Sequence, residues 1–332
     1  MEFSPRRRQL LGAFGASALC PGVGLASPSS SFILGTATPG GGFPAYGDAL
    51  LRTLAAVDPG FRLEARNTRG SLENIPLLEE GRLDFALVQG EAAYEAWAGI
   101  GRPPSLLAIV AAMYSTPGMF VVRADSHAMS IADLRGRRIA FGARSSGLVL
   151  LARYVLDGLG LDLERDFQAI FLDRAGDGPP LLDAGQVDAL WGAGRSWPGF
   201  VAVANSPIGA RFIVPDASER QRILAKHNFL KPLSLPARSF KGQEQALDSV
   251  GSWSFILARP DRHADATYRL ASALRRGEQL IGKYLPQAEE STLANTLRAA
   301  PARTRLHPGT VRALKEAGLW DAAPAAPAPQ AR

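Results

Sequence analysis

From residue 32 onward the chain alternates short apolar runs with stretches at helical spacing. Phe32, Ile33 and Leu34 predict a strand, and Ala45, Leu50, Leu51, Leu54 and Val57 predict a helix over 44–57. Residues 61–65 alternate as a strand does, 71–79 read as a helix, and 84–88 form a continuous apolar run of strand length. Two further strands are expected at 106–112 and 119–122, split by a turn at Ser115-Thr116-Pro117-Gly118. A second series follows, with strands at 138–141, 167–172, 188–191 and 211–214 and helices at 148–159, 179–185, 197–204 and 217–227. Residues 230–244 look extended, 250–258 predict a strand, and 258–320 are mostly helical. Repeated strand–helix order predicts mainly parallel sheets covered on both faces. Two such series with a helical end predict two α/β lobes.

Open α/β sheets bind ligands where strands run into helices. Gly35-Thr36-Ala37-Thr38-Pro39-Gly40-Gly41-Gly42-Phe43 leaves a strand and opens a helix, so its N–H groups could turn toward an anion; a flexible turn is the alternative. It matches neither G-x-G-x-x-G nor a P-loop. In Asn67-Thr68-Arg69-Gly70-Ser71-Leu72-Glu73-Asn74, Ser71 fits a helix cap equally well, but capping leaves Arg69 unexplained. Gln89 ends an apolar strand, where a buried amide needs partners from a ligand or from loop backbone. Gly142-Ala143-Arg144-Ser145-Ser146-Gly147 offers two hydroxyls and a guanidinium as a carboxylate or phosphate cradle, or a plain N-cap. Trp191 and Trp197 could form flat walls for a small molecule, or Trp197 could pack under its own helix.

The rest of the composition narrows the chemistry. One Cys and four scattered His argue against a disulfide framework and a zinc site, and neither a metal nor a cofactor is expected. There is no G-x-S-x-G elbow and no nucleophile–base–orienter set, so the protein is not expected to be an enzyme. No apolar run reaches the ~18 residues of a membrane span. The formal charge of +6 includes three Arg and one Glu near the start; subtracting that surplus of 2 leaves +4. No basic stripe interleaved with aromatics follows, and nucleic acid is not an expected partner. Arg6, Arg7 and Arg8, an apolar stretch over 10–20 and Gly24-Leu25-Ala26 read as a cleavable export signal over 1–26, similar to the twin-arginine type. Leu19 occupies the place where a lipobox wants a small residue, so anchoring through Cys20 is not expected. The Ala/Pro-rich segment 322–332 is expected to be disordered.

Five segments, in order, resemble the TAXI family of solute-binding proteins that serve TRAP transporters. G-T-A-T-P-G-G-G-F-P-A-Y-G (35–47) is similar to the family's G-T-G-[ST]-T-G-G-V-Y-Y-P-L-G. T-R-G-S-L-E-N-I (68–75), D-F-A-L-V-Q-G-E-A-A-Y-E-A (84–96), L-R-G-R-R-I-A-F-G-A-R-S-S-G (134–147) and L-H-P-G-T-V-R-A-L-K-E-A-G-L (306–319) resemble its later motifs. The resemblance implies a two-lobed, type II-like periplasmic binding protein with a hinge and an interlobe cleft. It also implies a small organic acid as ligand and a fused, ion-driven membrane permease as partner. Matched positions imply ligand contacts at Thr36, Thr38, Phe43, Ser71, Asn74, Gln89 and Ser146.

Departures from the family pattern include Pro44 for Tyr, Arg69 for Gly, Glu91 for Asp, Arg144 for Pro, Ser145 for Gly and Leu148 for Thr. The added guanidiniums of Arg69 and Arg144 favour a more anionic ligand, an amino acid, 2-oxoacid or dicarboxylate, and Ser145 and Trp191 complete the candidate set. The expected lobes are 32–122 plus 251–321, and 123–250, in a monomer located in the periplasm. An aromatic or heterocyclic ligand, in another transport or sensing system, is the alternative suggested by Trp191, Trp197 and Trp253.

Overall fold

The computed structural model describes residues 31–321; the expected leader with Cys20 and the expected disordered tail lie outside the described residues. The first series runs β1 (Phe32–Gly35), α1 (Gly42–Val57), β2 (Leu63–Arg66), α2 (Ser71–Glu79), β3 (Phe85–Val88) and α3 (Gly90–Ala98). A long strand, β4 (Ala108–Arg123), leads into β5 (Arg138–Gly142), α4 (Gly147–Gly158), β6 (Gln168–Phe171), α5 (Gly178–Asp183), β7 (Ala189–Ala193), α6 (Pro198–Asn205), β8 (Ala210–Ile213), α7 (Ala217–Lys226) and β9 (Lys231–Leu235). The second long strand, β10 (Leu247–Ala258), returns the chain to helices α8 (Ala264–Arg276), α9 (Glu278–Tyr284), α10 (Leu293–Ala299) and α11 (Pro308–Glu316).

The strands lie in the order β2-β1-β3-β10-β4-β7-β5-β6, with β9 on β10 and β8 on β4. Two parallel triplets, β2-β1-β3 and β6-β5-β7, sit at opposite ends and are joined through the antiparallel pair β4 and β10. Each half carries an apolar core on both faces of its sheet. Leu34, Leu50, Leu54 and Leu274 pack on one face of the first half, with Leu78, Val88, Ile109 and Leu314 on the other. Phe120, Leu151, Val155 and Trp191 pack on one face of the second half, with Met119, Leu190, Phe200 and Val203 on the other. Strands covered on both sides are apolar throughout, and for that reason β3 and β7 are buried at every position. The molecule is thus an α/β fold of two lobes built on parallel strands.

Two expectations need correction. The strands expected at 106–112 and 119–122 are one strand, and Ser115-Thr116-Pro117-Gly118 is not a turn. Through Pro117, β4 pairs with β10; from Gly118 it pairs with β7 and then β8. Proline, which lacks a donor, sits at that change of partner, and its carbonyl accepts from Gly194 N at 3.2 Å. Gly118 is required there because a Cβ would meet the Trp191 ring at 2.7 Å. The extended segment expected over 230–244 contains only the short strand β9; beyond it the Gln243 amide ties the chain into a loop through Pro236 O at 3.0 Å.

Candidate functional site

The strand-to-helix loops of both halves close around a cavity of about 50 Å³. The first half contributes Thr38, Phe43, Ser71, Gln89, Tyr114 and Thr116; the second contributes Ala143, Ser146, Gly147, Leu148 and Trp197. At ~10–15 Å³ per water, the space suits a small molecule or a few waters. The halves touch around it: Ala175 N donates to Thr38 Oγ1 at 3.3 Å, Leu72 N to Ser145 O at 3.2 Å, and Gly176 N to Pro39 O at 3.3 Å.

Five helices begin at the cavity wall. Gly42 opens α1, Ser71 opens α2, Gln89 caps α3, Gly147 opens α4 and Trp197 caps α6, and all five residues line the space. First-turn N–H groups have no intrahelical acceptor, and each helix start carries partial positive charge worth ~0.3–1 kcal/mol to a nearby anion. Among the described residues, no charged side chain lines the cavity. Two polar side-chain atoms of its lining residues are buried without a partner, and both are donors: Gln89 Nε2 and Trp197 Nε1. Burial pushes the Tyr114 phenol well above its ordinary range, so the hydroxyl stays neutral. The wall therefore offers N–H and O–H groups in a dry setting, with Phe43, Tyr114 and Trp197 as its aromatic faces.

Thr38, Phe43, Ser71, Gln89 and Ser146 of the expected residues come together at this cavity. Part of their polar capacity is already used. Ser71 Oγ accepts from Gln89 N at 3.0 Å, and Ser146 Oγ caps α4 through Val149 N at 3.4 Å. The other expected residues do not line it. Thr36 is fully buried behind the wall, its hydroxyl donating to Arg66 O at 3.1 Å. Asn74 uses Nδ2 to tie Thr36 O and Leu87 O, each at 2.8 Å, which fixes the β1 and β3 loop ends. Arg69 is exposed, with its backbone N on Glu73 Oε2 at 2.5 Å. Arg144 lies over the Phe171 ring at 3.6 Å and pairs with Glu164 at 2.9 Å. Ser145 offers only its carbonyl, to Leu72. Trp191, 1% exposed, is core, with Nε1 on Leu148 O at 2.8 Å. Trp253 does not line the cavity either.

Sequence reasoning missed Tyr114 and Thr116, because they stand where β4 was expected to break. The apolar run continuing through Met113-Tyr114 was the available signal. Among the described residues no group of three His, Cys, Asp or Glu is arranged to hold a metal ion, and no helix is long and apolar enough to cross a membrane.

This fold, two α/β lobes closing loop-built walls on one cavity, is that of the two-lobed periplasmic binding proteins. The chain belongs to the NMT1-like family, whose model matches residues 34–318. Solved structures with a similar fold include MatC from Rhodopseudomonas palustris with bound malate (14% identity, 89% of this chain and 99% of that one, TM-score 0.57). A periplasmic transporter structure is similar at 14% identity over 89% and 95%, with a TM-score of 0.54. A putative L-cystine ABC transporter from Listeria monocytogenes matches at 14% identity over 78% and 95%, with a TM-score of 0.50.

Proposed function

We propose that the protein is an exported, periplasmic solute-binding protein that closes its lobes on a small organic anion and delivers it to a membrane permease. The observation that carries this reading is the convergence of five helix starts, with the unpartnered Gln89 and Trp197 donors, on a cavity without charged side chains. Donors alone suit a carboxylate, and the positive helix ends replace the guanidinium groups expected from the sequence. Amino acids, 2-oxoacids and dicarboxylates have the required acceptor groups and size. The lobes are taken as 32–122 plus 251–321, and 123–250, hinged along β4 and β10. The five TAXI-like segments favour a fused TRAP-type permease as the partner of a monomeric binding protein.

The test is a thermal-shift screen of the purified protein. Malate, succinate, 2-oxoglutarate and glutamate are the first compounds, because a ligand at 100 times its Kd adds about 2.7 kcal/mol of stability. At least one of them is expected to raise Tm by several degrees. The rings of Phe43, Tyr114 and Trp197 favour a second reading, an aromatic or heterocyclic ligand; a shift with aromatic compounds and none with the acids supports that reading instead.

A further inference from the structure

Glu91, in the first turn of α3, lies two residues beyond the cavity-lining Gln89. It is 0% exposed, and its carboxyl is approached by the side chains of Ser252 and Gln89, with no well-formed hydrogen bond to either oxygen. Ser252 Oγ and Gln89 Nε2, its polar neighbours, are also buried and unpartnered. At the start of α3 Gly90 packs closely on β10, where a Cβ would collide with Ser252 and with Trp253 O. A lone ionised carboxylate in such a place is costly, whereas a carboxylic acid is tolerated.

Among the described residues no cation acts on the carboxyl; Lys231, Arg298 and Arg305 line a neighbouring pocket together with Gly90, Ser252 and Trp253. On α3 itself Glu95, engaged by Tyr154 OH at 2.8 Å, adds a like charge. From α4 the titratable neighbours are Tyr154 and Arg153, the latter acting on Glu95. Of the other elements packed against α3, α2 carries Glu73 and Glu79 and β10 carries Asp248, all acidic, while the β10 residues beside Gly90, Ser252 and Trp253, are uncharged. Burial is the dominant influence and pushes the Glu91 carboxyl up to about 7, with Ser252 and Gln89 opposing it.

An ionised Glu91 would draw the Gln89 amide toward itself and oppose any negative charge in the cavity. A neutral Glu91 holds that amide less tightly and lets it turn to the ligand. We propose that Glu91 is the positioning residue that makes anion binding proton-linked: the bound state requires its acid form, so above neutral pH the protein takes up one proton with each anion. This rests on the organic-anion reading of the cavity.

The experiment is isothermal titration of the full chain with malate, succinate, 2-oxoglutarate and glutamate. It is run from pH 6 to 8.5 in pairs of buffers of different ionisation enthalpy. Carboxyl groups of these ligands are ionised throughout most of that range. The expected result is flat affinity below pH 7, a fall approaching tenfold per pH unit above it, and uptake of nearly one proton per ligand at pH 8. Glu91→Gln is expected to remove both the pH dependence and the proton uptake, which separates Glu91 from His227 and the other histidines. The buffer-pair measurement on the unmodified chain stands even if that variant does not fold. Tight binding with no proton uptake at pH 8, or unchanged uptake in Glu91→Gln, overturns the proton link and leaves the anion reading intact. No binding of any of the four acids at any pH overturns the anion reading, and this inference with it.

Discussion

At Gln89 an apolar strand, buried at all four positions, ends in a cavity-lining amide whose Nε2 is buried beside Glu91 without a well-formed hydrogen bond. A hydrogen bond to a charged ligand group is worth about 1.5–3 kcal/mol, so Gln89→Leu is expected to weaken organic-acid binding by tenfold or more. Its Tm should hold, since the change removes an orphaned donor. Arg144→Ala is the contrast: the guanidinium pairs with Glu164 away from the cavity, and affinity should change less than twofold. Calorimetric titration of both variants checks the pair. The place of Gln89 at the cavity was legible from sequence because a polar residue terminating an apolar strand is conspicuous. Thr36 after β1, Asn74 in α2 and Trp191 in β7 were equally plausible candidates, yet their polar atoms turn back to Arg66, Leu87 and Leu148. Residue type and position along a strand do not say which way a side chain turns, and that direction is set by tertiary packing.

At the level of elements, the first turn of α4 approaches the starts of α2 and α3 closely. A Cβ on Gly147 would meet Gln89 Cβ at 2.4 Å and Ser71 Oγ at 2.9 Å. Gly147→Val should therefore hold the two walls apart. Organic-acid affinity should fall by more than tenfold while the far-UV circular dichroism spectrum is unchanged; unaltered affinity would show that the walls need not meet. Most elements were readable from apolar periodicity, including α2 at its observed bounds. The main exception, β4, was misread because Pro and Gly at 117–118 imitate a turn. In the folded chain they mark a change of strand partner, for which local sequence carries no distinct signal.

At the scale of the molecule, the parallel triplets place their loops toward one another only because β4 and β10 run through both halves. The convergence of helix starts is a product of this topology. It was foreseeable in outline from repeated strand–helix order, but not in its consequence that helix ends replace side-chain cations at the wall. That consequence is the central claim, and a crystal structure of the protein with a bound organic acid tests it most directly. A carboxylate is expected within hydrogen-bond distance of Gln89 Nε2 and the first-turn N–H groups of α4, with Arg69 and Arg144 making no contact. An acid held by those arginines, or seated outside the cavity while Gln89 faces only water, would contradict it.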